Sequence, residues 1–308
     1  MSRKLAVIGM GNVGSTIANN IVSQGLADDL VLIDTNHAKV NADAMDLKDA
    51  MPNLAYHTNI TVNDYSALAD ADVIISSLGH IKAQLSPKHY GDRFVEFKLN
   101  TPEVRQVGAK IKQSGFHGIL EVITNPVDVM TNLYQQVTGF PKNRVIGTGT
   151  LLDSARMKKA VGAAFHIDPR SVRGFNLGEH GNSQFTAWST VKVMDQPVTK
   201  FAKQKGLDLK QLNDRIKVGG YTVFKGKHCT QFGIAAAALR LANIIMNNAN
   251  TEVPVSNYRD EYGTYLSCPV IVNQNGVAGH VHLDLTDVEK QKLAKSAQFI
   301  KNKVSQLK

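Results

Sequence analysis

Cysteine is nearly absent: two residues in 308, Cys229 and Cys268. That excludes a disulfide framework and fits a reducing, cytoplasmic compartment. No Cys/His spacing resembles a zinc site, so no metal is expected. No apolar run approaches the ~20 residues that a bilayer span needs, so a membrane is not an expected partner. The first apolar stretch, residues 5–10, is too short for a signal peptide and runs straight into a glycine motif. There are no repeats and no low-complexity segments. The net charge is +9, yet Lys and Arg are scattered, without a basic run or basic–aromatic interleaving. Nucleic acid is therefore not an expected partner either. A positive field that draws in small anions suits this charge better. With 43% apolar and 20% charged residues, the composition is that of a globular protein long enough for two domains.

The most informative stretch begins near the N-terminus. Residues 4–9 form a short apolar run ended by glycine, the pattern of a buried strand. Gly9-Met10-Gly11-Asn12-Val13-Gly14 follows at once. A helical pattern then covers residues 12–24, with Gly25 as a stop. Residues 30–34 are a second strand that ends on Asp34. Strand, GxGxxG, helix, strand and acid together make the dinucleotide-binding fingerprint. Gly9 makes the turn, Gly11 lets the pyrophosphate approach the backbone, and Gly14 packs helix on strand. Phosphates belong at the helix start, where free N–H groups and the dipole favour anions. Asp34 is placed to accept from the ribose hydroxyls and to repel a 2′-phosphate. The expected cofactor is therefore NAD rather than NADP.

The alternation of strand and helix continues. Helices are expected over 37–51, 94–113 and 126–137, and strands over 59–63, 72–78 and 118–124. This pattern builds a doubly wound parallel sheet with ligands at the carboxyl ends of its strands. The loops after Gly79 and Thr124 are thus candidate site loops. The polar loop from 80 to 92 has the makings of a lid that could carry Arg93 onto a substrate. Beyond 147 the character changes. A helix opens at 150 with Asp153 and Arg156 on one face. Residues 186–194 look like a strand, and 198–204, 209–218 and 230–248 look helical. Strands are expected over 252–255 and 264–273, with Pro269 marking an edge or a bulge. Thr286-Asp-Val-Glu289 is a capping box that starts a final helix. The expected fold is α/β: an NAD-binding Rossmann domain over 1–147, then a mixed α+β substrate domain over 148–308.

One further stretch carries chemistry: Asn176-Leu-Gly-Glu-His180-Gly-Asn-Ser183. A histidine among glycines can exchange a proton near neutrality and can be approached closely by a substrate. A surface turn would look the same in isolation. Together with Thr124-Asn-Pro-Val-Asp128 and Leu152-Asp-Ser-Ala-Arg156, in this order after a Rossmann start, the chain resembles the L-lactate/malate dehydrogenase family over its whole length. Within that family, the loop and the wording around His180 are similar to those of the L-2-hydroxyisocaproate dehydrogenases of lactic acid bacteria.

The resemblance implies an NAD-dependent L-2-hydroxyacid dehydrogenase, cytoplasmic and homotetrameric, that acts on small 2-oxo and 2-hydroxy acids. It implies His180 as proton donor, Asp153 as the carboxylate that orients and favours its cationic form, and Arg93 as the cation polarising the carbonyl. Arg156 would grip the substrate carboxylate through a bidentate fork. Asn125 would sit near both the nicotinamide ribose and the substrate, and Thr230 would line the substrate pocket. Cofactor contacts would come from Gly9, Gly11, Asn12, Val13, Gly14, Asp34, Gly79 and Asn125. The chain departs from the family's pattern in a longer loop, with Gln84 or Leu85 near the discriminating position, and in having no arginine before Arg93. Lys82 and Lys88 are stand-ins there, and His228-Cys229-Thr230 replaces Gly-Tyr-Thr. Lys158 and Arg173 match the two basic positions at which some family members bind fructose 1,6-bisphosphate, although ordinary surface charge explains them too. A malate dehydrogenase and a non-catalytic nicotinamide-binding redox sensor are the alternatives.

Overall fold

The computed structural model describes residues 2–85 and 93–307, without the side chains of Arg93, Lys205, Arg215, Lys217, Val218 and Tyr221. The elements in the first half are β1 (Lys4–Ile8), α1 (Asn12–Gln24), β2 (Asp29–Ile33), α2 (His37–Ala50), β3 (Asn59–Val62), β4 (Val73–Ser76), α3 (Ile81–Gln84), α4 (Phe97–Gln113), β5 (Ile119–Val122), α5 (Val127–Thr138) and β6 (Val145–Gly147). The second half holds α6 (Leu151–Phe165), β7 (Asn176–Leu177), β8 (Phe185–Thr186), β9 (Lys192–Val193), β10 (Gln196–Pro197), α7 (Val198–Lys205), α8 (Leu209–Lys227), α9 (Phe232–Met246), β11 (Thr251–Arg259), β12 (Thr264–Asn273), β13 (Gly276–His280) and α10 (Asp287–Val304).

One nine-stranded sheet organises them, in the order β13-β12-β11-β6-β5-β4-β1-β2-β3. From β3 to β6 the strands are parallel in the doubly wound order, which reverses direction between β1 and β4. The ligand crevice of such a sheet opens at that reversal. The central strands are buried throughout, as parallel strands covered on both faces must be. On one face lie α1, α2 and the alanine-rich α9, whose small side chains let it pack closely. On the other lie α5 and α10. A third apolar cluster joins α6, α7 and α8.

Several sequence expectations change here. The stretch 186–194 is not one strand; it breaks into β8, a 3-10 turn at Trp188–Thr190 and β9. Its main-chain groups pair with residues 173–176 and 196–198 rather than with a neighbouring long strand. The helix expected over 209–218 runs on to Lys227, carrying Gly219 and Gly220 inside it. Pro269 is on no edge, because β12 pairs with both β11 and β13. It faces Pro254, and the register irregularity falls at Ile271/Val272. The helix expected from Thr230 starts only at Phe232, which leaves Thr230 in the loop before it.

Candidate active site

A cleft of about 480 Å³ opens at the carboxyl ends of β1, β4 and β5. At one end stands the turn after β1. Gly9 has φ +95°, and a Cβ built on Gly14 would lie 1.9 Å from the Gly9 carbonyl oxygen, so no side chain fits there. A Cβ on Gly11 meets nothing within 4 Å, because that position faces open space. Gly11 caps α1 without a side-chain bond, and no acid stands in the first turn. The helix start thus offers N–H groups and positive dipole to an anion. Asn12 and Val13 line the cleft beside it, as does Gly79 after β4. Asn12 also donates to Cys229 Sγ at 3.4 Å.

Asp34, just past β2, does not line the cleft itself. Its Oδ2 accepts the Met10 N–H at 2.6 Å and its Oδ1 the Asn36 N–H at 2.7 Å, so it braces the glycine turn. A carboxylate has roughly four acceptor positions, so these two bonds leave capacity for hydroxyl donors. Asn125 follows β5 before a cis bond to Pro126. Asn125 lines the cleft, and its buried Oδ1 has no hydrogen-bond partner. An orphaned acceptor, an uncapped helix start and a cradle that a Cβ would fill are together the features a dinucleotide requires.

Asp153, Arg156 and His180 line the same cleft. The imidazole Nδ1 of His180 is 2.6 Å from Asp153 Oδ2, and Arg156 Nη1 donates to Asp153 Oδ1 at 2.9 Å. The three side chains are 12%, 4% and 18% exposed. One buried carboxylate thus serves both the His180 ring and the Arg156 guanidinium, and the pair that sequence alone could not separate from a surface ion pair lines the cleft. With Nδ1 engaged by Asp153, Nε2 is the ring nitrogen that can act on a substrate. Gly220 of α8 lies beside the Arg156 guanidinium, where a Cβ would come within 3.3 Å of Cζ. Thr230 lines the same cleft, half-buried. The Arg93 side chain and Lys88 lie outside the described residues.

Gln84, Phe94, Ile216 and Phe224 line the same cleft as His180. Gln84 is buried, whereas Leu85 does not line the cleft. Lys82 is exposed and stands apart from the lining. Glu96 is buried against Gln84, and burial raises its pKa while the Gln84 amide favours the charged form. Sequence reasoning passed over Glu96, Asn213, Ile216, Gly220 and Phe224. Only the Gly219-Gly220 pair inside a helical pattern could have flagged α8 as a packing surface. Lys158 packs near Arg240 and Glu252, and burial lowers its pKa. Arg173 is exposed, 3.8 Å from Asp195. Among the described residues no cluster of His, Cys, Asp and Glu could hold a metal ion. Likewise, no helix is long and apolar enough to cross a membrane.

The glycine turn and the His–Asp–Arg constellation on one doubly wound sheet define a nicotinamide-dependent dehydrogenase. The lactate/malate dehydrogenase NAD-binding domain matches residues 3–147, and the α/β C-terminal domain of the same family matches residues 150–308. The chain belongs to the lactate/malate dehydrogenase family; it is an oxidoreductase acting on CH–OH groups with NAD as cofactor. It is 35% identical to L-lactate dehydrogenase 2 of Lactococcus lactis subsp. lactis (strain IL1403) over 315 residues, covering 100% of this chain and 99% of the relative. Identity is also 35% to L-lactate dehydrogenase 3 of Bacillus thuringiensis subsp. konkukian (strain 97-27), over 98% of this chain and 96% of the relative. The crystal structure of the minor L-lactate dehydrogenase of Enterococcus mundtii in its ligands-bound form superposes with a TM-score of 0.92 at 34% identity, covering 100% and 99% of the two chains. These relatives are named for lactate, so the likeness to hydroxyisocaproate enzymes rests on the wording of the loop and of the segment around His180.

Proposed function

We propose that this protein is an NAD-dependent L-2-hydroxyacid dehydrogenase of the lactate dehydrogenase type, reducing 2-oxo acids reversibly, with a preference for medium-sized apolar side chains. The observation that carries the proposal is the 2.6 Å contact between His180 and Asp153 in a cleft shared with the glycine turn. NAD, when bound, supplies or takes up the hydride. Gly9, Gly11, Asn12, Val13, Gly14 and Gly79 would cradle it, Asp34 would receive the adenine ribose, and Asn125 the nicotinamide ribose.

His180 gives its proton from Nε2 to the carbonyl oxygen on which negative charge grows, and takes it back in the reverse direction. Asp153 holds the other ring nitrogen and favours the imidazolium. Arg156 binds the substrate carboxylate and so presents one face of the carbonyl. Arg93 is assigned the polarising role by resemblance alone. Residues 1–147 and 148–308 serve as cofactor and substrate domains, in a cytoplasmic homotetramer.

The side-chain preference is supported by the apolar wall of Phe94, Ile216 and Phe224 and by the exposed position of Lys82. Among the described lining residues Arg156 is the only Lys or Arg, so a dicarboxylate enclosed there finds no second one for its other charge, and an unpaired buried charge is heavily penalised. An apolar substituent gains ~0.8 kcal/mol per buried methylene. The test is kcat/KM for pyruvate, 2-oxoisocaproate, phenylpyruvate and oxaloacetate with NADH and NADPH. We expect 2-oxoisocaproate and phenylpyruvate to match or exceed pyruvate, with oxaloacetate far behind. Since Asp34 repels a 2′-phosphate, NADH should lead NADPH by about tenfold or more. A lead for oxaloacetate would establish the malate reading. A wide lead for pyruvate would make the enzyme an ordinary L-lactate dehydrogenase.

A further inference from the structure

Asp128 takes no part in the chemistry described so far. It stands in the first turn of α5 and is 2% exposed. Its Oδ2 accepts the main-chain N–H of His180 at 2.8 Å. Its Oδ1 is buried and has no hydrogen-bond partner. Ser256 on β11 lies close enough to favour the charged form, although its own buried hydroxyl meets no hydrogen-bond geometry. Burial raises the Asp128 pKa to about 7; Glu179 pushes it the same way, and Ser256 and the His180 N–H oppose them. The titratable groups around it are Glu179, the His180–Asp153 pair and the Cys268 thiol of β12.

The backbone around His180 is held at every step. Gly178, at φ +92°, exchanges main-chain bonds with Ser267 at 3.0 and 3.1 Å. The Glu179 N–H donates to Ser296 Oγ at 2.7 Å. The Gly181 N–H donates to the Glu179 carbonyl at 2.8 Å. Of the groups that receive these four N–H bonds, only the Asp128 carboxyl can change its charge. It receives the one N–H that belongs to the proton-carrying residue itself.

We infer that Asp128 is a positioning residue for His180, one that fixes the imidazole's backbone from a buried carboxyl and transmits the charge of that carboxyl to the ring. The inference rests on the reading of His180 as the acid. When Asp128 is ionised, its bond to the His180 N–H is charge-assisted and therefore stronger. The added negative charge behind the ring also favours the imidazolium. When Asp128 is neutral, both effects weaken. The protons on Asp128 and His180 are thus coupled, and the pH profile belongs to the pair.

The test compares full-length wild type, Asp128→Asn and Asp128→Ala. Asparagine keeps an acceptor for the His180 N–H but cannot ionise. We expect the alkaline limb of kcat/KM for 2-oxo acid reduction to move to lower pH in Asp128→Asn, with KM for NADH unchanged. In Asp128→Ala, kcat should fall by up to roughly 10²-fold, the cost of a misplaced catalytic group. Difference infrared spectra between about pH 6 and about pH 8 should show a buried carboxylic acid losing its proton in wild type, with that band absent in Asp128→Asn. An unmoved alkaline limb together with an unchanged infrared difference would overturn the inference. If no 2-oxo acid is turned over at all, the functional reading fails. The infrared band and the NMR titration of the His180 ring in wild type and Asp128→Asn then still decide whether Asp128 and His180 are coupled.

Discussion

Asp153 is the residue on which the site turns. It is 4% exposed, and its two oxygens are engaged by Arg156 and by the His180 ring where water is scarce. A buried carboxylate without such partners would be driven neutral. His180→Ala removes the proposed proton donor and leaves the residues at the cofactor end of the cleft unchanged. Reduction of any 2-oxo acid should fall by ~10²–10⁴ while NADH titration by fluorescence is unchanged. Near-normal turnover would assign the proton to another group. Glu121 shows the opposite case. It lies in the middle of β5 between Ile75 and Ile146, fully buried, and neither carboxylate oxygen has a partner. Burial raises its pKa well above the ordinary value. The folded protein therefore keeps a proton that the unfolded chain releases above about pH 4. Stability should decline as pH rises from there, by ~1.4 kcal/mol per pH unit until the folded group ionises. Glu121→Val, apolar and at home in a central strand, should raise the Tm at neutral pH and flatten that dependence. Calorimetry from pH 4 to 8 checks it, and an unchanged slope would contradict it.

At the scale of elements, local signals gave good boundaries where they were complete. The helix expected over 12–24 is α1, residue for residue, because a glycine turn precedes it and Gly25 takes the left-handed conformation after it. The capping box at the start of α10 is also present, with Thr286 accepting from the Glu289 N–H and Glu289 accepting from the Thr286 N–H. Glu289 additionally accepts the Ser189 N–H at 3.1 Å, so the cap ties α10 to the turn after β8. Thr286→Ala should cost about 1 kcal/mol in denaturant unfolding without affecting kcat. A loss within error would mean that Glu289 and Ser189 hold the end unaided. Where signals were incomplete, the reading slipped. Nothing local stops α8 at Val218, since a helix packed on α6 tolerates Gly219 and Gly220. Thr186 to Met194 has strand-like residues, but no long partner strand lies alongside it.

For the whole molecule, the decisive feature is the continuity of the sheet across residue 147. β6 is followed in the sheet by β11, and the largest apolar cluster unites Ile17 and Ile21 of α1 with Ala238 and Leu241 of α9 and Val253 of β11. The two halves share this core, so separating them would expose the apolar faces of α1 and α9 to water. Thermal unfolding should be a single cooperative transition, with the calorimetric enthalpy equal to the van't Hoff value. Two resolved transitions would show that the halves melt independently.

The sequence by itself determined the cofactor half of the protein. A strand, a glycine turn, a helix and an acid are contiguous, and each works through backbone conformation within a few residues of itself. It also named His180, Asp153, Arg156, Asn125 and Thr230 as candidates, by motif. Only the tertiary structure decided that they meet. His180 and Asp153 are 27 positions apart, and Asp128 reaches the His180 backbone across 52. The same holds for the wall that α8 supplies and for the burial that sets the charge of Asp128 and Glu121. These are consequences of solvent exclusion by distant segments. No local pattern of residue types encodes them, because desolvation depends on what packs against a group and not on its neighbours in the chain.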